Sequence, residues 1–368
     1  MPASGLFITL YDEDTLRLYL DKGIYGFHQN PCKEKMDPRD RHYNALADYA
    51  CAREGTHVFF FLKRMIIYGG QIIGSKKYGS YYLNGPYSAM GKRANAPVVW
   101  DESKRSIYQS TGKPGIFIVP KVDKKKEKCQ PYLLRFKDRL NLKGNWITSD
   151  DLYFALGSYP YPLPTNSIQN MSFCTMTPGE TEIALSLLRE SEKRYTEKGH
   201  DEISLTGEPI LFDPKFGTQN LIEALKQSWF INEAQLEASI ISNPYLLPKK
   251  VRPNENDTIC RQIPISPFKP NQMDRADICY YSEKSIREGT IPNTIIELKL
   301  NRTGKGAIEQ VERYMKWLHK CLGEQTASLI KVYVCAPSFT SIAFKSIPRE
   351  YAHQIELISF EDTDLLSY

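Results

Sequence analysis

Residues 294–300 read TIIELKL, an apolar and β-branched run that predicts a β-strand. Because side chains alternate across a strand, Glu297 and Lys299 lie on one face and the apolar side chains on the other. The apolar face consists of Ile296, Leu298 and Leu300. Two opposite charges on an otherwise apolar strand are costly to bury without partners. They form either a structural ion pair or a site that holds a divalent cation and a phosphate group.

A second acid, Asp277, precedes Glu297 by 20 positions, in a strand predicted over residues 276–281. Asp277 and Glu297 supply carboxylate oxygens, which are suited to Mg²⁺ or Mn²⁺. Such a cation polarises a phosphate and lowers the pKa of a bound water. The Lys299 ammonium would offset the charge that develops in the transition state. The spacing therefore favours phosphodiester hydrolysis, with Asp277 and Glu297 as the metal ligands.

A helix before these strands carries a third acid. Asn232 is a good N-cap with Gln235 three residues later, and Asn243-Pro244 predicts the end of the helix. Glu237 of this helix could approach the same cation, directly or through water.

A second helix is predicted over residues 307–322, where apolar residues recur at spacings of three and four. Gln310 and Tyr314 are four positions apart on this helix and share one edge of it. They could hydrogen-bond the attacking water, Lys299 or a DNA phosphate. The alternative is a half-exposed helix edge without a role in chemistry.

The chain is expected to have two domains and a fold class of α+β and α/β. Residues 221–368 predict a central mixed sheet flanked by helices, with further strands at residues 329–336 and 355–360. Residues 1–195 predict a mainly β domain with short helices. Its predicted strands are residues 7–11, 58–62, 65–68, 116–120 and 132–136, and its predicted helices are residues 46–53 and 181–194. Residues 196–220 are polar, rich in glycine and proline and without a sustained period, which predicts a linker.

The composition is that of an ordinary globular protein, with 41% hydrophobic and 25% charged residues. A net charge of +5 permits a polyanionic partner without requiring one. The eight cysteines contain no CxxC pair, so no zinc knuckle is predicted. No apolar run is long enough for a membrane span, and no secretory signal is predicted, so a cytoplasmic protein is expected.

The order of these motifs resembles the PD-(D/E)XK nuclease superfamily, and is most similar to the catalytic domain of NucS/EndoMS-type endonucleases. The resemblance covers roughly the last third of the chain, from residue 230 to about residue 360. The matching text is NEAQLEASIISNPYLL, RQIPI, DRADICYY and NTIIELKLNRTGKGAIEQVERYMKWL. It implies that Asp277 is the core acid and that Glu297 and Lys299 form the E-x-K. It also implies the helix acid Glu237 and the Q-x-x-x-Y pair, Gln310 and Tyr314.

The resemblance implies a Mg²⁺- or Mn²⁺-dependent DNA endonuclease. One departure stands out, because the family has a glycine shortly before the core acid and this chain has Arg275-Ala276 there. This departure changes the local turn and leaves the expected ligands, Asp277 and Glu297, in place.

The N-terminal half resembles PUA-like modules of the EVE kind. The matching text is GIYGF at residues 23–27, GTHVFFFLKRMIIYGGQIIG at residues 55–74, and Trp100. The resemblance implies a β-barrel that reads a modified base in an aromatic pocket. A flipped base could stack on Tyr25 or Trp100. The alternative is that these aromatic side chains fill the core of the domain.

The function expected from these features is a restriction or defence endonuclease, directed to specific or modified double-stranded DNA by its N-terminal domain. A mismatch-directed repair endonuclease would share the same active site and differ in substrate. A non-catalytic nucleic-acid-binding protein is the third interpretation. Cleavage of both strands with one active site per chain would favour a homodimer, and no membrane partner is expected.

Overall fold

In the computed structural model, the described residues are 3–26, 38–73, 81–83, 98–101, 106–109, 132–156, 173–191, 232–266, 274–283 and 291–362. For residues 81–83, 98–101 and 106–109 the description covers the backbone. The linker predicted at residues 196–220 and the strand predicted at residues 116–120 lie outside the described residues.

The described part of the chain contains two main sheets and helices packed against them. The helices are α1 (Glu13–Lys22), α2 (Pro38–Cys51), α3 (Ser149–Leu156), α4 (Pro178–Glu190), α5 (Glu233–Ser242), α6 (Lys305–Leu322), α7 (Glu324–Ala327) and α8 (Ser341–Lys345). None of these helices is long and apolar enough to cross a membrane. The strands of the N-terminal half are β1 (Gly5–Thr9), β2 (Ile24–Gly26), β3 (His57–Leu62), β4 (Met65–Ile72), β5 (Tyr81–Leu83), β6 (Val98–Asp101), β7 (Ser106–Gln109), β8 (Tyr132–Lys137), β9 (Trp146–Thr148) and β10 (Phe173–Met176). Those of the C-terminal half are β11 (Thr258–Ser266), β12 (Asp274–Tyr281), β13 (Thr294–Leu298), β14 (Lys331–Ala336) and β15 (Ile355–Ser359).

The C-terminal sheet is mixed, as the sequence predicts. Its strand order is β11-β12-β13-β14-β15, antiparallel from β11 to β13 and parallel from β13 to β15. Helix α6 packs its apolar stripe, which includes Val311 and Met315, against one face that includes Ile295. Helix α5 packs against the other face, which includes Ile296. The sheet is therefore covered by helices on both faces.

Helix α5 begins and ends where the sequence predicts. The Asn232 side chain accepts a hydrogen bond from the Gln235 backbone N–H at 2.9 Å, and Asn243 is the C-cap. The strand predicted over residues 294–300 is shorter than expected and ends at Leu298. The Lys299 backbone N–H still donates to the Cys335 carbonyl at 2.8 Å, so its direction is kept for one more residue.

The N-terminal half is built around a sheet that contains eight of the described strands. Six of them follow the order β10-β1-β3-β4-β8-β2, while β5 pairs with β8 and β9 pairs with β4. Gly23 caps α1 in the left-handed conformation, at φ 60°, and a Cβ there would lie 2.7 Å from the Phe136 carbonyl oxygen. The half is mixed α and β: α2 begins eight residues before the helix predicted at residues 46–53, and α4 begins three residues before the helix predicted at residues 181–194. A PUA-like barrel stays a prediction.

The two halves of the chain pack against each other. Helix α2 packs on α5, and side chains of both helices belong to one buried apolar cluster that also contains Ile278 and Ile296. Strand β10 lies beside β11, where the Thr175 hydroxyl donates to the Arg261 carbonyl at 3.2 Å. Residues of the predicted N-terminal domain therefore complete the core beneath the C-terminal sheet.

Helix α4 begins with a capping box whose acid is completely buried. The Thr177 hydroxyl accepts from the Glu180 backbone N–H, and the Thr177 N–H donates to Glu180 Oε2 at 2.7 Å. Glu180 Oε1 has no hydrogen-bond partner among the described residues. Burial raises the pKa of Glu180 to about 8, although the bonds to Thr177 oppose the shift.

Glu180→Gln is expected to gain stability relative to the native protein as pH rises from 5 to 8. The native fold must keep Glu180 protonated, whereas the unfolded chain releases the proton near its ordinary pKa, so native stability is lost over this window. We expect the difference in free energy of unfolding to grow by at least ~2 kcal/mol across it. Urea unfolding at several pH values measures this, and a constant difference would contradict the prediction.

Candidate active site

Glu297 and Lys299 lie together at the end of β13, between α5 and α6. The Lys299 ammonium donates to Glu297 Oε1 at 2.6 Å and lies 3.8 Å from Glu233 of α5. Glu297 is 1% exposed, and the Lys299 side chain is 22% exposed. The Glu297 carboxylate is thus buried, and the Lys299 side chain beside it is partly exposed to solvent.

Asp277 of β12 is the immediate neighbour of Glu297 across the sheet. Ile278 is paired with Ile296, and continuing this antiparallel register by one residue places Asp277 opposite Glu297. The Leu298 backbone N–H donates to Asp277 Oδ2 at 2.7 Å. Like charges directly opposite on a sheet repel each other. A positively charged group beside Asp277 and Glu297 would therefore reduce their repulsion.

The pKa shifts of Asp277, Glu297 and Lys299 follow from the burial and closeness of these three side chains. Burial raises the pKa of Asp277 above its ordinary value, and the neighbouring Glu237 raises it further. Burial also raises the pKa of Glu297, followed by repulsion from Asp277. Lys299 opposes both shifts, and its own pKa is raised because Glu297 and Asp277 outweigh the effect of burial. One ammonium thus offsets the negative charge of two buried carboxylates.

Helix α6 brings Gln310 and Tyr314 to this carboxylate pair. The Tyr314 hydroxyl lies 3.0 Å from Glu297 Oε2 and 2.8 Å from the Arg275 carbonyl, and shares its single proton between them. Gln310 Nε2 donates to the Tyr314 oxygen at 2.6 Å. Tyr314 is fully buried rather than half-exposed, because its ring belongs to the core between α6 and the sheet. These residues orient Glu297.

The strand before Asp277 has Arg275-Ala276 at the place where the sequence resemblance leads one to expect a glycine. Asp274–Tyr281 form one continuous strand, so Arg275 and Ala276 are extended. The Arg275 carbonyl meets Tyr314, and the Asp274 carboxylate accepts from Arg313 Nε at 2.6 Å. Two adjacent residues of β12 are therefore hydrogen-bonded to side chains of α6.

Glu237 of α5 is close to the site but is held by other partners. Its carboxylate accepts from Arg261 Nε through Oε2 and from Gln262 Nε2 through Oε1, both at 2.6 Å. The same Gln262 nitrogen donates to Asp277 Oδ1 at 3.0 Å. Glu237 and Asp277 are therefore linked by hydrogen bonds from the same Gln262 nitrogen.

Three residues near the site carry no role in the sequence prediction: Glu233, Arg261 and Gln262. Arg261 is buried and also donates to Asp48 Oδ1 at 2.6 Å and to Asn44 Oδ1 at 3.0 Å, both on α2. Arg261 and Gln262 both lie in the matching text RQIPI, and a charged residue inside the apolar run of β11 is a further signal for Arg261. Neither signal gives the contacts of Gln262, because these depend on strand pairing.

The candidate base-pocket aromatics lie in the N-terminal half. Tyr25 of β2 is buried, and its ring stacks on Phe173 with the ring centroids 5.5 Å apart. Burial raises the pKa of Tyr25 well above its ordinary range. For Trp100 the description covers the backbone, which pairs with Ile107. Tyr25 therefore contributes to the core, and base binding by either residue stays a prediction.

The carboxylates present fit a hard divalent cation of the Mg²⁺ kind. Asp277 and Glu297 are buried neighbours whose mutual repulsion a divalent cation would relieve. Among the described residues, no three His, Cys, Asp or Glu side chains converge at distances suited to a metal. Mg²⁺ is commonly held by one or two carboxylates and completes its shell with water, so two ligands are sufficient.

No protein-family model matches the chain, and a comparison with curated proteins found no match. Among solved structures, a repair endonuclease from Pyrococcus abyssi matches at 21% identity over 36% of this chain, with a TM-score of 0.24. The match spans 49%, about half, of that protein's length. An EndoMS complex with double-stranded DNA matches at 11% identity over 92% of this chain and 97% of its own, with a TM-score of 0.25. AspBHI, a DNA modification-dependent restriction endonuclease, matches at 12% identity over 96% of this chain and 78% of its own, with a TM-score of 0.22.

Proposed function

We propose that the chain is a Mg²⁺- or Mn²⁺-dependent DNA endonuclease whose active site contains Asp277, Glu297 and Lys299. The observation that supports the proposal most strongly is the burial of two opposed carboxylates beside one partly exposed ammonium. Such an arrangement costs stability, and groups with perturbed pKa values of this kind concentrate at functional sites. A protein that only holds nucleic acid has no need of it.

In the proposed site, Asp277 and Glu297 would hold the cation, which when bound supplies Lewis acidity and an activated water. The Leu298 N–H fixes one oxygen of Asp277, and Tyr314 fixes one oxygen of Glu297. Lys299 places its positive charge beside Glu297, where the phosphate would gain negative charge in the transition state. The buried surroundings limit access of bulk water and strengthen these interactions.

Gln310 acts through Tyr314, and Glu237 acts through Gln262. Both are therefore positioning residues in the proposal. This differs from a direct role in which Glu237 approaches the cation, because Arg261 already neutralises Glu237 and the Gln262 amide lies between Glu237 and Asp277.

DNA as the substrate rests on the resemblance of residues 230–360 to nuclease catalytic domains. We further propose that the N-terminal half selects the DNA, directing cleavage to specific or modified sites as in restriction and defence. A net charge of +5 is compatible with a DNA partner. The contact between α2 and α5 gives the N-terminal half a direct connection to the catalytic half.

We expect the purified chain to cleave DNA with Mg²⁺ or Mn²⁺ and to lose this activity when the cation is chelated. The test uses a panel of unmodified, methylated, glucosylated and mismatched duplexes, resolved by gel electrophoresis. Cleavage confined to modified DNA would support restriction, and cleavage at mismatches would instead assign repair. Binding of DNA without cleavage of any duplex would contradict the proposed activity.

A further inference from the structure

Gln262 lies in a row of polar side chains that crosses three neighbouring strands. In the antiparallel register of β11 and β12, Arg261 pairs with Ile278 and Ile263 pairs with Ala276. Gln262 is therefore opposite Asp277, which in turn is opposite Glu297 of β13. A neutral amide thus stands next to the two carboxylates of the proposed site.

The backbone of Gln262 is in the left-handed region, with φ at 53°. Residues other than glycine rarely adopt this conformation, because it brings the Cβ atom too close to the backbone. Strained backbone of this kind persists where the surroundings enforce it, and it concentrates at functional sites. Strand β11 continues on both sides of Gln262, so the conformation changes the direction of this one residue.

The Gln262 amide uses its nitrogen to join two acids. Nε2 donates to Glu237 Oε1 at 2.6 Å and to Asp277 Oδ1 at 3.0 Å. An amide nitrogen carries two hydrogens, so these bonds satisfy both. Asp277 is then held at Oδ1 by Gln262 and at Oδ2 by the Leu298 N–H, which fixes the plane of its carboxylate. Each oxygen keeps a further lone pair for a cation.

We propose that Gln262 is a positioning residue that orients Asp277 for the cation. Its amide group also separates the Glu237 carboxylate from the Asp277 carboxylate. This inference rests on the proposed nuclease function. Partners of metal-ligating carboxylates typically change metal affinity about 10- to 100-fold when they are removed. The left-handed backbone and the simultaneous contacts of the amide with Asp277 and Glu237 occur at the same residue.

The test compares Gln262→Gly and Gln262→Asn with the native full-length chain. Glycine adopts a left-handed backbone freely, and asparagine tolerates it better than glutamine does. Both variants therefore keep the backbone while they lose the reach of the amide. We expect the Kd for Mn²⁺, measured by calorimetry without DNA, to rise about tenfold or more. DNA cleavage should shift to higher Mn²⁺ and recover most of its rate at saturation.

Gln354→Ala is the matched control. Gln354 Nε2 also bridges two acceptors, the carbonyls of Ala327 and Ile330, at the opposite end of the parallel strands. Its loss should lower stability and leave the Kd for Mn²⁺ unchanged, which separates a structural role from a positioning role.

The outcomes distinguish the inference from the function on which it rests. A native Kd for Mn²⁺ in both Gln262 variants would overturn the positioning role and leave the nuclease function standing. Failure of both variants to fold would also overturn it, because positioning predicts a folded protein. Native protein that neither binds Mn²⁺ nor cleaves DNA would overturn the proposed function together with the inference.

Discussion

Glu297→Gln is expected to reduce metal-dependent DNA cleavage on the order of 1,000-fold while the protein stays at least as stable as the native chain. A bound cation stabilises transition-state charge by several kcal/mol, and each ~1.4 kcal/mol is a factor of ten in rate. Glutamine keeps the shape of the side chain but lacks the charge that holds the cation. It can still accept from Lys299 through its oxygen and donate to Tyr314 through its nitrogen.

Stability should not fall, because the substitution removes a buried charge. Burial and repulsion from Asp277 raise the pKa of Glu297, so the native fold holds this carboxylate at a cost. Cleavage rates at saturating Mn²⁺ and thermal unfolding without metal measure the two effects. Glu312→Gln is the matched control, because Glu312 is a partly exposed residue of α6 that pairs with the exposed Lys316, and it should change neither quantity much. Cleavage by Glu297→Gln within about tenfold of native would contradict the assignment of Glu297.

Arg261→Met is expected to lower the free energy of unfolding by about 3–5 kcal/mol, the typical loss when one partner of a buried ion pair is removed. Arg261 is buried and neutralises two buried acids, Asp48 and Glu237, each at 2.6 Å. Burial already raises the pKa of both carboxyl groups, and Arg261 opposes these shifts. Methionine fills similar space without a charge, so Asp48 and Glu237 would lose the guanidinium that neutralises them.

Urea unfolding measures the loss, with Arg64→Met as the control. Arg64 forms an ion pair with Asp150 at 2.6 Å, but both side chains are mostly exposed. Exposed pairs contribute little, so this variant should lose only a small part of what Arg261→Met loses. Equal losses in the free energy of unfolding of the two variants would contradict the prediction, because the buried network would then stabilise the fold no more than an exposed ion pair.

The sequence predicts the parts of the site that depend on local periodicity. Alternation along β13 places Glu297 beside Lys299, and the helical spacing of α6 places Gln310 beside Tyr314. The structure shows both contacts, because the geometry of one strand or one helix determines them, while the catalytic roles stay predictions. Asp277 is predicted as a partner from its spacing, whereas its position opposite Glu297 depends on the pairing of β12 with β13.

Arg261 and Gln262 lie beyond such reasoning for a different physical reason. Arg261 meets Asp48 across 213 positions of sequence, and no local pattern encodes a contact of this range. The left-handed backbone of Gln262 is imposed by its surroundings and contradicts the preference of the residue itself. The predicted division into 1–195 and 221–368 likewise rests on composition, which says nothing about how α2 and α5 pack.

The packing of α2 on α5 limits how freely this protein can exchange one half for another during evolution or engineering. Asp48 and Asn44 of α2 share the guanidinium that also neutralises Glu237, one amide away from Asp277. A chimera that takes its first half from another protein would leave Arg261 with an incomplete set of acceptors. Substitutions in the first half that keep α2 are therefore expected to be tolerated better than an exchange of the whole first half.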